Sequence, residues 1–222
     1  MSFAIALDGP AGAGKSSIAK RAANILNFIY VDTGALYRAI GLAALRNSVE
    51  PAPSAEVDAL LDKITVELAF NENMEQIVLL DGEDVSGLIR TPEASMMASK
   101  ISAVPNVRTY LLDLQRDMAV KNNVIMDGRD IGTVVLPNAD VKIFLTAAPE
   151  VRAGRRYKEL VEKGMDVNFE KILADVIERD YNDSHRETAP LRPAEGCVIV
   201  DTTDLDFDQS VDEILRVIKE KL

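Results

Sequence analysis

The run Gly9-Pro10-Ala11-Gly12-Ala13-Gly14-Lys15-Ser16 constrains this chain more than any other stretch. It meets the pattern G-x-x-x-x-G-K-[ST] at every required position. The apolar run Phe3 to Leu7 precedes it and reads as a buried strand, and a helical pattern begins near Ser16. The local structure that follows is strand, glycine-rich turn and helix. Successive backbone N–H groups of such a turn wrap a polyphosphate, and the positive end of the helix dipole adds to the attraction. Lys15 is expected to reach the outer phosphates, and Ser16 to help order Mg²⁺. The loop implies a nucleoside triphosphate without saying what it is used for.

Around that unit, short apolar runs alternate with helical patterns. Strands are expected at Phe3–Leu7, Phe28–Val31, Val124–Met126, Val141–Leu145 and Val198–Val200. Each is a short, mainly apolar run, with Lys142 the one charged residue among them, consistent with parallel strands buried on both faces. Helices are expected at Ser16–Leu26, at Thr33–Ala44 with Thr33 as cap, and from Pro105 onward. Three more are expected: Pro149–Lys163 ending at Gly164, Asn168 to about Asp183, and Phe207–Leu222. One region breaks the alternation. Thr65–Phe70 and Gln76–Leu80 look like β pieces, Asp81-Gly82 like a turn, and Glu50–Ser54 like a hinge leading in. The expected fold is α/β, with a central parallel five-stranded sheet in three layers and a small inserted β-containing segment.

Composition limits the partners. With 222 residues, 47% of them apolar, the chain can bury one large core. A net charge of −11 argues against nucleic acid and anionic membranes, so a phosphate site must rest on local arginine clusters. Cys197 is the single cysteine, which points to a reducing cytoplasmic setting. Its neighbours Val198, Ile199 and Val200 suggest a buried thiol. Phe3–Leu7 is too short and lacks the basic flank of a signal peptide, and no apolar run approaches the roughly 20 residues of a membrane span.

The arginine clusters are present. In Asp32-Thr33-Gly34-Ala35-Leu36-Tyr37-Arg38, Thr33 and Arg38 stand at the carboxyl end of the second strand, where open α/β sheets bind ligands. An Arg near a helix start opposes the dipole, so an acceptor phosphate would favour it there. Asp127-Gly128-Arg129-Asp130 stands at another carboxyl strand end, where Arg129 can hold phosphate and Asp130 can accept from an amino-bearing base. Arg152, Arg155 and Arg156 share one helical face, as do Arg179, Asp183 and Arg186. Such stripes suit the spread negative charge of phosphoryl transfer. No base is required, because an acceptor phosphate is already nucleophilic. One Cys and one His exclude zinc spacing, His185 lacks an obvious relay, and no Asn-Lys-x-Asp run marks guanine recognition.

Together these runs resemble the bacterial-type cytidylate kinases, a family of P-loop nucleoside monophosphate kinases. The resemblance spans nearly the whole chain: IALDGPAGAGKSS, YVDTGALYRA, DGEDVSG-x-IRT, MDGRDIGTVV, VKIFL and ERDYNDSHRETAPL. It implies a core, a lid over about 149–167, and a monophosphate-binding region over about 33–104 whose β insert covers about 65–89. The activity implied is transfer of the γ-phosphoryl of ATP to CMP or dCMP, with Mg²⁺, by a monomer. Gly9 through Ser16, with Ser17, would hold the ATP phosphates. Lys15, Arg129, Arg186 and Arg155 would serve catalysis. Thr33, Arg38, Arg108, Arg129, Asp130, Arg179 and Asp183 would bind CMP, with Arg108 and Asp130 toward the base. Arg155 and Arg156 would close over ATP. Three alternatives stay open on the residues alone. They are a sister kinase for UMP, AMP or a small alcohol, a nucleotide-dependent switch, and an ATP-binding structural protein.

Overall fold

The computed structural model describes residues 2–72 and 75–222. The central sheet has five parallel strands: β1 (Ala4–Asp8), β2 (Ile29–Asp32), β6 (Val124–Gly128), β7 (Val141–Thr146) and β8 (Val198–Asp201). Their spatial order is β2-β6-β1-β7-β8, which puts the strand feeding the phosphate loop in the middle. In register, Asp8 lies beside Gly128, and Asp32 beside Asp127. Each apolar run found in the sequence continues into a polar residue at its carboxyl end: Asp8, Asp32, Asp127, Thr146 and Asp201 stay extended. All strands being parallel, the four carboxylates line one edge of the sheet.

Alternation decides which layer each residue joins. Ile5, Leu7, Ile125, Ile143 and Leu145 pack with helices α1 (Lys15–Leu26) and α8 (Phe207–Lys219). Ala6, Val124, Met126 and Val31 face the other way, toward Ala119 of α5 (Pro105–Lys121) and a short π-helix, Ile131–Val135. Both faces are covered, as the continuous apolar runs require. Ile143→Ala would cost about 2–5 kcal/mol, the usual range for an emptied core site.

The insertion builds a second core. Helix α2 (Thr33–Arg46) packs with α3 (Ala55–Leu61), β3 (Val66–Phe70), β4 (Gln76–Leu80) and α4 (Pro92–Ile101) around Leu36, Ile40, Val57, Val78 and Ile101. β3, β4 and the two-residue β5 (Glu83–Asp84) form an antiparallel sheet. Asp81 and Gly82 turn between the last two at φ 53° and 79°, as an Asp-Gly hairpin requires. Helices α6 (Pro149–Glu162) and α7 (Phe169–His185) form an antiparallel pair with their own small core of Ala153, Leu160 and Ile172. Asn168 caps α7 through Lys171 N–H, and Gly164 follows α6 at φ 74°.

Several expectations need correction. The cap of α2 is Asp32, whose carboxylate accepts from Ala35 N–H, and Thr33 is already helical. Cys197 is half-buried rather than buried, because β8 is the edge strand and Val198 and Ile199 are 40% and 61% exposed. Arg186 has left the helix: it is the C-cap of α7, with extended backbone. The sequence reading did not name α3, α4 or the π-helix.

Candidate active site

The phosphate loop depends on a glycine where it leaves the sheet. Gly9 sits at φ 150°, and a Cβ there would lie 1.9 Å from the Leu145 carbonyl oxygen. No other residue fits without moving β7. Lys15 is buried, and its Nζ donates to the Pro10 carbonyl at 2.8 Å, folding the side chain back across the loop. Burial, and then the positive charge of Arg129, pull the Lys15 ammonium well below its ordinary range, against the pull of Asp127 and Asp8. Ser16 Oγ donates to Asp127 at 2.7 Å, and Tyr30 donates to the same oxygen at 3.1 Å. Desolvation is what raises Asp127, with Asp32 adding to it.

Asp8 ties this loop to the next one. Its two carboxylate oxygens accept from Ile131 N–H and Gly132 N–H, each at 2.7 Å. It thereby fixes the first turn of the π-helix directly after Asp130. Burial outweighs those two bonds and lifts the Asp8 carboxyl to about 6. Gly128 completes the junction, since a Cβ there would stand 2.8 Å from Thr33 Oγ1. Thr33 Oγ1 donates instead to the Asp127 carbonyl at 2.7 Å.

Beyond the loop, arginines converge, each beside a carboxylate: that of another segment for Arg108, Arg129 and Arg186, and that of its own helix or helix cap for Arg179 and Arg38. Arg38 Nη2 donates to Asp32 at 2.7 Å. Arg129 Nε donates to Asp183 at 3.1 Å, and Arg179 Nε stands 3.9 Å from the same oxygen. Arg108 donates to Asp130 and, at 3.0 Å, to the Ser102 carbonyl. Arg186 donates to Ser102 Oγ at 3.2 Å and lies 3.7 Å from Asp130. The Arg108 guanidinium sits 5.5 Å from the Tyr37 ring centre, a cation–π distance.

These pairs do not use up the donors. Arg38 Nε, Arg179 Nε and Arg186 Nη2 are buried with no hydrogen-bond partner. Arg179 Nε and Arg186 Nη2 meet a carboxylate only at ion-pair distance, 3.9 and 3.7 Å; buried polar groups are nearly always hydrogen-bonded, so these three nitrogens point to an anionic ligand. Crowding has the same sense. Burial and then Arg129 push Arg179 down to about 10, and burial and then Arg108 lower Arg186. An anion among them would relieve both effects.

One cleft of about 1390 Å³ joins the two sides, lined by Lys15 and Ser16 at one end and Arg38, Arg108, Arg129 and Asp183 at the other. It brings together every residue the sequence singled out for the acceptor and, from the donor loop, Ala11, Gly12 and Gly14 through Ser17, with Arg155 and Arg156 also on its wall, while Gly9, Pro10 and Ala13 do not line it. The α6 arginines differ among themselves. Arg155 donates to the Ala13 carbonyl of the loop at 3.2 Å and to the Thr202 carbonyl at 2.8 Å. Arg152 is buried, donates to the Ala11 carbonyl at 2.9 Å and pairs with Asp180. Arg156 is half-buried and pairs with Glu159 on its own helix. His185 stacks on exposed Tyr181 at 4.1 Å and does not line the cleft. Sequence reasoning missed Asp8, Tyr37 and Ser102. None of the three carries a signal of its own, because each matters only through a partner brought in by the fold.

Similar sequences and structures identify the family and the fold. The sequence profile described as Cytidylate kinase matches residues 5–220. A cytidylate kinase from Caldicellulosiruptor bescii is 47% identical over 96% of this chain and 94% of its own length. One from Carboxydothermus hydrogenoformans is 47% identical over 98% and 97%. Among solved structures, a gluconokinase from Sinorhizobium meliloti is similar with a TM-score of 0.50 and 13% identity, covering 98% of this chain and 92% of that one. At that identity it speaks to the fold alone.

Proposed function

Because this chain belongs to the cytidylate kinase family, we propose that its two-ended cleft holds ATP at the phosphate loop and CMP or dCMP among the arginines. The reaction is transfer of the γ-phosphoryl group of ATP to the acceptor's phosphate, giving ADP and CDP or dCDP. The observation that carries the assignment of the two ends is the set of buried guanidinium nitrogens without hydrogen-bond partners that share one cleft with a loop built for a polyphosphate.

Residues 9–17 hold the donor phosphates, and Lys15 lies along the bridging oxygens where charge grows during transfer. Arg38 and Arg129 bind the acceptor phosphate and hold its oxygen in line. Arg129 and Arg186, with Arg155 from the lid, carry the negative charge of the moving group. Arg179 and Asp183 take the sugar side. Arg108 and Asp130, supported by Ser102, read the cytosine edge: a carboxylate accepts from its amino group, and a guanidinium donates to its carbonyl and ring nitrogen. Thr33 keeps the nucleotide against the strand end. No general base is needed, and positioning supplies most of the rate.

Mg²⁺ fits the oxygen donors present. Ser16 Oγ and the Asp127 carboxylate, 2.7 Å apart, are the residues that would hold it, and the ion would neutralise phosphate charge. Among the described residues no group of three or more His, Cys, Asp or Glu is assembled. That suits an ion that takes most of its ligands from nucleotide and water. Segment 149–167 acts as a lid that excludes water, and 33–104 as the monophosphate-binding region. The charge of −11 and the single cysteine support a cytoplasmic enzyme without nucleic acid or membrane partners. No helix among the described residues is long and apolar enough to cross a membrane.

The test is acceptor-dependent ADP release over a panel of CMP, dCMP, UMP, AMP and shikimate-like alcohols. CMP and dCMP should be turned over fastest. Equal rates for UMP, or ADP release that ignores the acceptor, would overturn the reading.

A further inference from the structure

Arg38 is anchored by Asp32, and Asp32 is itself anchored from an unexpected direction. β2 is an outer strand of the central sheet, so the outward N–H and C=O of its last residue have no strand to pair with. The side chain of Gln76, the first residue of β4, takes both places. Its Oε1 accepts from Asp32 N–H at 2.7 Å, and its Nε2 donates to the Asp32 carbonyl at 3.0 Å. One side-chain amide thus pairs Asp32 as a neighbouring peptide would.

The consequence reaches the cleft. With both backbone groups held, the Asp32 carboxylate has a fixed direction. One oxygen accepts from Ala35 N–H at 3.0 Å and starts α2, while the other takes Arg38 Nη2 at 2.7 Å. Arg38 is then left with a buried, unpaired Nε. The residue before Gln76 reaches the other side, since Glu75 pairs with Lys20 of α1 at 2.8 Å. That pair is half-exposed and contributes little, so the amide pair is the stronger tie between the insert and the central sheet.

We infer that Gln76 is a positioning residue for the acceptor: through Asp32 it sets the Arg38 guanidinium that binds the acceptor's phosphate. The inserted β sheet is therefore part of the acceptor site although its strands contribute no side chain to the cleft wall. This rests on the reading of Arg38 given above.

The test is steady-state kinetics on the full chain with Gln76→Ala, Gln76→Glu, Arg38→Ala and the Gln76→Ala/Arg38→Ala double variant. Gln76→Ala should raise KM for CMP about fivefold, the loss of one or two modest hydrogen bonds, with KM for ATP and kcat changed less than about twofold. Gln76→Glu keeps the size but faces the Asp32 carbonyl with an acceptor, and should raise KM for CMP at least as much. In the Arg38→Ala background, Gln76→Ala should add nothing, because its effect runs through Arg38. Equal shifts in both KM values, a full additional factor in the double variant, or loss of a cooperative melt in both Gln76 variants would make Gln76 merely structural and overturn the inference. If Arg38→Ala raises KM for CMP while Gln76→Ala does not, the inference fails and the role of Arg38 stands. An Arg38→Ala enzyme with unchanged KM for CMP would overturn the role of Arg38, and the inference with it.

Discussion

The two ends of the cleft are made in different ways. The donor end proposed here is nine consecutive residues, 9–17, whose role rests on backbone geometry. Gly9 allows a close approach to the Leu145 carbonyl, and one lysine folds back on its own loop. The acceptor end has almost no local geometry. Arg38, Arg108, Arg129, Arg179 and Arg186 come from separate places in the chain, and each is held by a carboxylate from another segment or turn. A contiguous site tolerates changes elsewhere. A site built from such pairs depends on every element that orients a partner, including an inserted sheet outside the cleft.

The largest expected effect tests the donor end. Lys15→Ala should lower kcat by about 10²–10³-fold while folding survives, as loss of a charge-stabilising donor does. Turnover near the wild-type level would break the assignment of the loop.

This asymmetry also explains what the sequence revealed. The loop was legible because its chemistry is written in adjacent letters. Four acceptor arginines were legible as clusters and a fifth, Arg108, only through a family resemblance. Asp8 was not, because a carboxylate at a strand end carries no mark of being buried against Ile131 and Gly132. Strand ends were read short for one reason: four apolar runs stop where an aspartate begins and the fifth where Thr146 does, yet the chain stays extended because the parallel partner continues. Arg186 was placed on a helix face from its spacing, but the helix ends one residue earlier. Helix α4 did carry a signal in Thr91-Pro92, a capping residue followed by proline at the first helical position. The π-helix carried none, since the Asp8 carboxylate on the neighbouring strand β1 holds its first turn.

Asp8 joins the two ends and offers the next largest effect. Its carboxyl is raised from 3.8 to about 6 by burial. Between those values the folded protein holds a proton that the unfolded chain has released. The contribution of Asp8 to stability is therefore full below about pH 4 and lost as pH rises through about 6, a change of about 3 kcal/mol. Asp8→Asn cannot ionise and should lack that slope. In urea melts, the unfolding free energy of the variant should gain about that much on wild type between about pH 4 and pH 7. Parallel pH profiles would show that Asp8 is not buried as described.

At the acceptor end, Arg108→Ala should lower kcat/KM for CMP relative to other monophosphates about tenfold, by removing a charged donor from the base edge. KM for ATP should hardly move. Unchanged selectivity would move base recognition away from the Arg108–Asp130 pair.

Cross-titration tests the separateness of the two ends most directly. CMP binding to Lys15→Ala, and binding of a non-hydrolysable ATP analogue to Arg38→Ala, can each be measured calorimetrically with the other nucleotide absent. Each variant should bind its intact end's ligand within about twofold of wild type and lose about tenfold or more for the other. If Lys15→Ala weakens CMP as much as the ATP analogue, the cleft is one undivided phosphate site, and the division into a loop-built donor end and a pair-built acceptor end is wrong.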